Sequence, residues 1–200
     1  MKPPTMIYFA TANRGKYETV SAVLAEAGVE AERVDLELAE PRSTDVAAVA
    51  SAKVLEAWEK LRRPCICVDS GFFIPALGGF PAAYVNFVLG TIGTAGIMRL
   101  LEGKPRACEF RNGLAYFDGD REAPLVFVSP VPGRAAEAPA PDLPDRAWSD
   151  LYRIFIPDGE TLTLAAMSGD GYRRWSRKIN RDSCFARFAA WLTGASGGER

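Results

Sequence analysis

Apolar residues recur with two different periods along the chain, and the period changes near its middle. In the first half, short apolar runs that predict strands alternate with segments whose apolar residues repeat every three to four positions, as in helices. The strands are predicted over 6–10, 33–38 and 66–68. The helices are predicted over 17–27, 44–61 and 94–101.

In the second half, alternation of single apolar and polar residues predicts mainly strands. They cover 108–117, 125–131, 153–156 and 161–166, ahead of a final helix over 182–192. A loop rich in Ala and Pro is predicted over 135–147. This order of elements predicts an α/β fold, with a mixed sheet flanked by helices in two lobes and a central cleft. Within one domain of 1–200, lobe one spans 1–105 plus the C-terminal helix, and lobe two spans 106–180.

Composition restricts the classes of partner. A net charge of −1 argues against a general binder of nucleic acid polymers. No stretch approaches the ~20 apolar residues of a membrane span, and the first residues lack the apolar segment of a signal peptide. We therefore expect a cytoplasmic protein without a membrane partner. Its cysteines should be buried and reduced, although the pKa of the Cys184 thiol should fall near a predicted helix N-terminus.

The chain contains no histidine. Nucleophile systems that depend on a histidine base, and metal sites built on imidazole, are therefore excluded. Any chemistry must use carboxylates, lysines, arginines and backbone amides. A metal held by carboxylates and water would be Mg²⁺, with Mn²⁺ as an alternative.

Asp69 is the first candidate for chemistry. It follows the apolar run 66–68, and Ser70-Gly71 after it is typical of a sharp turn. We therefore expect the strand to end at Asp69, and ligands bind where strands of an α/β sheet end. The carboxylate either holds a metal or activates water, or it only caps a turn.

Two lysines and a second acid are further candidates. Lys16 follows a strand–turn–helix sequence, where backbone amides attract anions. Lys53 falls on the apolar face of its helix, so it either enters a cleft or snorkels to solvent. Glu40 follows the second strand and is either a metal ligand or a solvated loop acid. Two acids for Mg²⁺ and two lysines for phosphates would suit cleavage of a phosphoryl bond.

Several motifs over residues 6–167 resemble those of the Ham1/inosine triphosphate pyrophosphatase family. They are Thr11-x-Asn13-x-x-Lys16, Asp69-Ser70-Gly71-Phe72, Ala76-Leu77-Gly78-Gly79-Phe80-Pro81, and segments within 91–103 and 154–159. The resemblance implies an elongated, ITPase-like fold. It also implies a Mg²⁺-dependent homodimer that hydrolyses a nucleoside triphosphate, noncanonical or modified, to monophosphate and pyrophosphate.

Residue roles follow from the same resemblance. It makes Asp69 and Lys53 catalytic, and Glu40 and Asp69 metal ligands. The predicted contacts to substrate are Thr11, Asn13, Lys16, Ser70, Gly71, Lys178 and Ser183.

The half of the chain expected to bind the base departs from the family. Relatives carry a Phe-Gly-aromatic-Asp-Pro segment where this chain has residues 149–153. Near the last helix, relatives also carry Ser-His-Arg, in which the His and Arg recognise the purine carbonyl. In this chain, residues 178–185 stand in the place of that second motif and follow an apparent insertion. The aromatic residues of this half either stack on a different base or pack the second lobe, and its arginines either are solvated or reach an anionic substrate. These residues are Trp148, Tyr152, Tyr172, Trp175, Arg173, Arg174, Arg177 and Arg181.

Two other functions remain open at this point. Altered base contacts would also suit a nucleotide N-glycosidase of the same fold, which releases free base rather than pyrophosphate. A nucleotide-binding module without turnover would retain the same lysines.

Overall fold

A computed structural model describes residues 6–194, which form seven strands, six α-helices and two short 3₁₀-helices, Pro75–Leu77 and Asp150–Arg153. The strands are β1 (Met6–Ala10), β2 (Glu30–Val34), β3 (Cys65–Phe73), β4 (Pro81–Ala82), β5 (Ala107–Phe117), β6 (Leu125–Ala135) and β7 (Phe155–Pro157). The helices are α1 (Arg14–Glu26), α2 (Val46–Leu61), α3 (Val85–Thr91), α4 (Gly93–Leu100), α5 (Gly169–Asn180) and α6 (Cys184–Thr193).

The strands form one mixed sheet in the order β2-β1-β3-β5-β6-β7, with β4 paired to β3. β1 runs parallel to β2 and β3, whereas β5, β6 and β7 continue the sheet in antiparallel fashion. Parallel neighbours require helical crossovers, while antiparallel ones need only short turns. This difference explains why the helical pattern predominates in the first half of the sequence, and it confirms the predicted mixed α/β fold.

Helices cover both faces of the sheet. Ile66 and Val68 of β3 pack into a core shared with α1 and α6, whereas Cys65 and Cys67 face α2. This division follows from the two-residue period of side chains along a strand. A third core lies around Phe72 and Ile74, α3, α4 and β7. The lobe boundaries given above stay a prediction.

Several elements differ from the sequence-based expectation. The segment 161–166 is a turn rather than a strand, because the amides of Ala166 and Met167 both donate to the carbonyl of Thr163. The second strand lies at Glu30–Val34 instead of 33–38, and α3 and α5 were not predicted. Within residues 6–194, no helix is long and apolar enough to cross a membrane.

Candidate active site

A cleft of about 370 Å³ runs from the N-terminus of α1 to α5. Its lining comes from the turn after β1, the loop after β2, α2 and β3 at one end. At the other end it comes from 148–152, α5 and the start of α6. The cleft therefore joins the regions that the sequence assigns to phosphates and to the base.

Asn13 fixes the turn that begins α1. Its Oδ1 accepts a hydrogen bond from the amide of Lys16 (2.9 Å), and its own amide donates to Thr11 Oγ1 (3.1 Å). Its Nδ2 donates to the carbonyl of Trp148 (3.0 Å). The first turn of α1 has no acidic residue, so the positive end of the helix dipole is not neutralised there. Thr11, Asn13 and Lys16 all line the cleft.

Asp69 lies in the interior of β3 rather than at its end. Pairing with β5 keeps the strand extended through Phe73, so the expected sharp turn at Ser70-Gly71 is absent. On the opposite edge, β1 pairs with β3 only as far as Ile66. Asp69 therefore lies beyond the carboxyl end of the neighbouring parallel strand, which is the sheet position where ligands bind.

Two lysines and two carboxylates meet at this edge. Lys53 Nζ lies 2.8 Å from Glu40 Oε1 and 3.8 Å from Asp69 Oδ1. The Asp69 side chain is 9% exposed, whereas that of Glu40 is 59% exposed. Lys53 lies on the apolar face of α2 and enters the cleft, the first of the two alternatives given for it above.

Burial dominates the electrostatics of this cluster. It raises the pKa of Asp69 above the usual carboxyl value, although Lys16 and Lys53 act in the opposite direction. Burial also lowers the pKa of Lys16, which Asp69 partly opposes. Asp69 Oδ2 is buried and has no hydrogen-bond partner among the described residues. A buried oxygen without a partner is uncommon in native proteins, and a bound cation would account for it.

The donor set fits a divalent cation that arrives with a nucleotide. Glu40 and Asp69 supply carboxylate oxygens, and one Asp69 oxygen has no other partner. Residues 6–194 contain no cluster of three His, Cys, Asp or Glu side chains placed to hold a metal. Mg²⁺ is commonly bound through one or two carboxylates together with phosphates and water, and two carboxylates are present here.

Ser70 and Gly71 have different environments. Ser70 lines the cleft and donates from Oγ to Asn112 Oδ1 (2.8 Å). Asn112 was not predicted, because it reaches the site only through the pairing of β3 with β5. Gly71 is buried below α2, where a Cβ would lie 2.8 Å from the carbonyl oxygen of Ala82 and 3.0 Å from Val46 Cγ1. Gly71 thus permits close packing and does not line the cleft.

Lys178 and Ser183, predicted to bind substrate, are not brought to the cleft. Lys178 is exposed on the side of α5 that faces a separate cavity, which Arg174 also lines. Ser183 is the N-cap of α6, where its Oγ accepts from the amide of Ala186 (3.2 Å) and donates to the carbonyl of Asn180 (2.9 Å). Both hydrogen-bonding functions of this hydroxyl are therefore used within the fold.

The four aromatic residues of the base half pack against the core and also line the cleft, so packing of the second lobe is confirmed and stacking on a base stays a prediction. Trp148 donates from Nε1 to Thr19 Oγ1 (3.2 Å), which ties it to α1. The ring centroids of Tyr172 and Trp175 lie 5.5 Å apart, and those of Tyr152 and Tyr172 lie 6.3 Å apart. Tyr152, Tyr172 and Trp175 thus form a continuous aromatic wall of the cleft, whereas Trp148 lies beside the first turn of α1.

The arginines of α5 lie outside the cleft. Arg173 pairs with Asp170, and Arg173, Arg177 and Arg181 line a groove between α5, α1 and α6. Among residues 6–194, no arginine lines the cleft itself.

All four cysteines are buried and free. Burial raises the pKa of Cys184 to about 11 and that of Cys65 to about 12. The expectation of a lowered pKa for Cys184 is therefore wrong, because loss of solvation outweighs its position at the start of α6. These thiols act as apolar core groups.

Comparison with known proteins agrees with this architecture. Residues 7–191 match the model of the Ham1 family. The chain is 38% identical over 187 residues to a protein from Methanopyrus kandleri named dITP/XTP pyrophosphatase, covering 92% of this chain and 95% of the relative. A protein of the same name from Saccharolobus solfataricus is 34% identical and covers 91% of each chain.

Solved structures give the same fold. A HAM1 protein from Coxiella burnetii superposes with a TM-score of 0.75 at 19% identity, covering 94% of this chain and 98% of that one. A dITP/XTP pyrophosphatase from Mycobacterium abscessus gives a TM-score of 0.70 at 23% identity, with the same coverage. From the matched length and the identity to its relatives, we conclude that the chain belongs to the Ham1 family.

Proposed function

We propose that the protein is a nucleoside triphosphate pyrophosphatase. It cleaves noncanonical purine nucleotides, such as the triphosphates of inosine and xanthosine, between the α- and β-phosphates. The observation that carries the proposal is the convergence of Lys16, Lys53, Glu40 and Asp69 beside the N-terminus of α1. The names of the archaeal relatives support the choice of substrate.

The positive groups hold the triphosphate. The amides at the start of α1 and the Lys16 ammonium bind phosphate oxygens, with Thr11 and Asn13 maintaining the shape of the turn. Lys53 lies between the two carboxylates and neutralises negative charge that develops as the bond breaks. Ser70, held by Asn112, adds a polar contact at the same edge.

Asp69 orients the attacking water and removes its proton. Its raised pKa makes this carboxylate a stronger base than an exposed one, and the lysines beside it oppose that rise. The proton passes from water to an Asp69 oxygen as the water oxygen bonds to phosphorus and pyrophosphate leaves.

Mg²⁺, or Mn²⁺ in its place, completes the site in this proposal. Glu40 and Asp69 would hold it, since they are the carboxylates beside Lys53 and one Asp69 oxygen lacks a partner. When bound, the ion polarises phosphate oxygens and stabilises the leaving pyrophosphate.

The proposal extends to the assembly and location of the protein. The family resemblance supports a homodimer, for which light scattering should give twice the 21.7 kDa mass of one chain. Four buried free thiols support a reducing compartment, the cytoplasm.

Product analysis tests the reaction class. With inosine triphosphate and Mg²⁺ we expect equal amounts of monophosphate and pyrophosphate, measured by phosphorus NMR, and no reaction when the metal is chelated. Release of single phosphate, or of free base, would contradict the proposal. A parallel panel of ordinary and damaged nucleotides identifies the preferred substrate.

A further inference from the structure

Arg146 is a half-buried cation without a counter-ion in the described part of the chain. One terminal nitrogen donates to the carbonyls of Met167 (2.7 Å) and Leu164 (3.3 Å). The Nε atom is buried and has no hydrogen-bond partner among residues 6–194. A charge held away from water and paired only with neutral carbonyls is costly. Its presence points to a role that a neutral side chain could not fill.

The Arg146 guanidinium lies behind the aromatic wall formed by Tyr152, Tyr172 and Trp175. Its carbon is 4.8 Å from the centroid of the Tyr172 ring, which lines the cleft, whereas Arg146 itself does not. Burial raises the pKa of Tyr152 well above the usual phenol value, and Arg146 acts in the opposite direction. The positive charge of Arg146 therefore acts on the wall from the side away from the cleft.

The lining of the cleft at this end is neutral. Every lining residue from position 83 onward is uncharged, including Phe185, which with Cys184 lies in the segment that replaces the Ser-His-Arg motif. Positive charge comes only from behind the lining, from Arg146 and from Arg174 and Lys178 in the second cavity. Arg174 and Lys178 are exposed, so water screens them more strongly than the half-buried Arg146.

A base packed on Tyr172 would lie close enough to Arg146 to be affected by its charge. The ring-to-guanidinium distance of 4.8 Å and a contact distance of about 3.5–4 Å place the two within about 9 Å of each other. For a unit negative charge on the base, attraction over that distance near a protein surface changes the affinity by about tenfold.

We propose that Arg146 is a positioning residue that sets the base preference of the cleft. It holds the Tyr172 ring against the base, and through that ring its charge favours purines with carbonyl oxygens or negative charge over purines without them. The inference rests on the proposed function and names the residue behind its substrate class. It agrees with the relatives' names, which include both dITP and XTP.

Xanthine and hypoxanthine provide the test, because they differ in charge. Xanthine loses a proton near neutral pH, whereas hypoxanthine does so only in distinctly alkaline solution. In mildly alkaline solution, Arg146→Gln is expected to raise KM for xanthosine triphosphate about tenfold more than KM for inosine triphosphate. The change in kcat should be small, because the base is remote from the reacting phosphorus and binds equally in the ground and transition states.

The pH dependence separates the charge of Arg146 from its hydrogen bonds to the backbone. In mildly acidic solution xanthine is neutral, so Arg146→Gln should then affect the two nucleotides alike. Titration of the carboxylates and lysines at the other end of the cleft affects both substrates equally. An equal change for both nucleotides at every pH would show that Arg146 only anchors the chain, and it would overturn the inference.

Three further variants control this test. Arg146→Lys keeps the charge and should retain the wild-type ratio of the two KM values. Arg153→Gln removes another half-buried arginine, which donates from Nε to the carbonyl of Ala140 (2.7 Å) and does not line the cleft. Arg174→Gln removes an exposed charge beside the wall. A loss of xanthosine affinity as large in either Gln control as in Arg146→Gln would contradict the inference.

Calorimetry separates this inference from the reaction itself. Dissociation constants of the two nucleotides are measured without metal for the wild type and for Arg146→Gln. If pyrophosphate is never released but the variant selectively loses affinity for xanthosine triphosphate at alkaline pH, the inference stands and the proposed function fails. If pyrophosphate is released and the ratio of affinities is unchanged by the substitution, only the inference fails.

Discussion

Replacing Asp69 by Asn is expected to lower kcat at least ~100-fold, the typical effect of losing acid–base assistance. Asn is nearly isosteric, so the variant should keep the packing of β3 while removing both the base and a proposed metal ligand. Steady-state pyrophosphate release measures the effect. Asp35→Asn is the control, because Asp35 is exposed, does not line the cleft and pairs with Arg33. A loss of less than tenfold would remove Asp69 from the mechanism.

The same variant should be more stable than the wild type at neutral pH. Burial raises the pKa of Asp69 in the folded state, so folding favours its protonated form. The stability that this group contributes is fully present below its unfolded pKa of 3.8 and is lost as pH rises through the folded value. The Tm of Asp69→Asn should therefore exceed that of the wild type at pH 7, with the gain disappearing in acid. A lower Tm at pH 7 would show that the neighbouring lysines outweigh burial.

Lys53→Met should lower kcat/KM by about 10² to 10³, as the loss of one group that stabilises transition-state charge does elsewhere. Lys53 separates Glu40 from Asp69, so its removal also leaves two carboxylates facing a triphosphate. Stopped-time assays at saturating Mg²⁺ measure the loss.

Lys104→Met is the control for this prediction. Lys104 is exposed in the turn after α4 and does not line the cleft. Its loss should leave the rate unchanged. Similar losses from both substitutions would attribute the effect to the loss of a positive charge in general and not to the cleft.

The end of the cleft that we propose for phosphate binding could be predicted because its information is local. The strand, the Asn13 cap and Lys16 lie within eleven consecutive residues, and the spacing of α2 places Lys53 on its apolar face. Asn112 was missed because it lies opposite Ser70 only after β3 and β5 pair. The length of β3 was underestimated for the same reason, since a distant antiparallel partner keeps the backbone straight past Asp69.

The base end was harder to predict because long-range contacts assemble it. Helix α5 did carry a local pattern, with Ser168 as N-cap and Tyr172, Trp175 and Ile179 at helical spacing. That pattern also places Lys178 beside this stripe, next to Trp175, and not on the side that lines the cleft. The position of Trp148 depends on contacts with Asn13 and Thr19, more than a hundred residues away. No periodicity in the sequence reveals such a contact.

The central claim is that one nucleotide spans the cleft, with its phosphates between Lys16 and Lys53 and its base against Trp175. A crystal structure with Mg²⁺ and a nonhydrolysable inosine triphosphate analogue tests this most directly. We expect phosphate oxygens within hydrogen-bond distance of both ammonium groups and a metal ion contacting the Asp69 carboxylate. Phosphates bound instead in the groove of Arg173, Arg177 and Arg181 would contradict it.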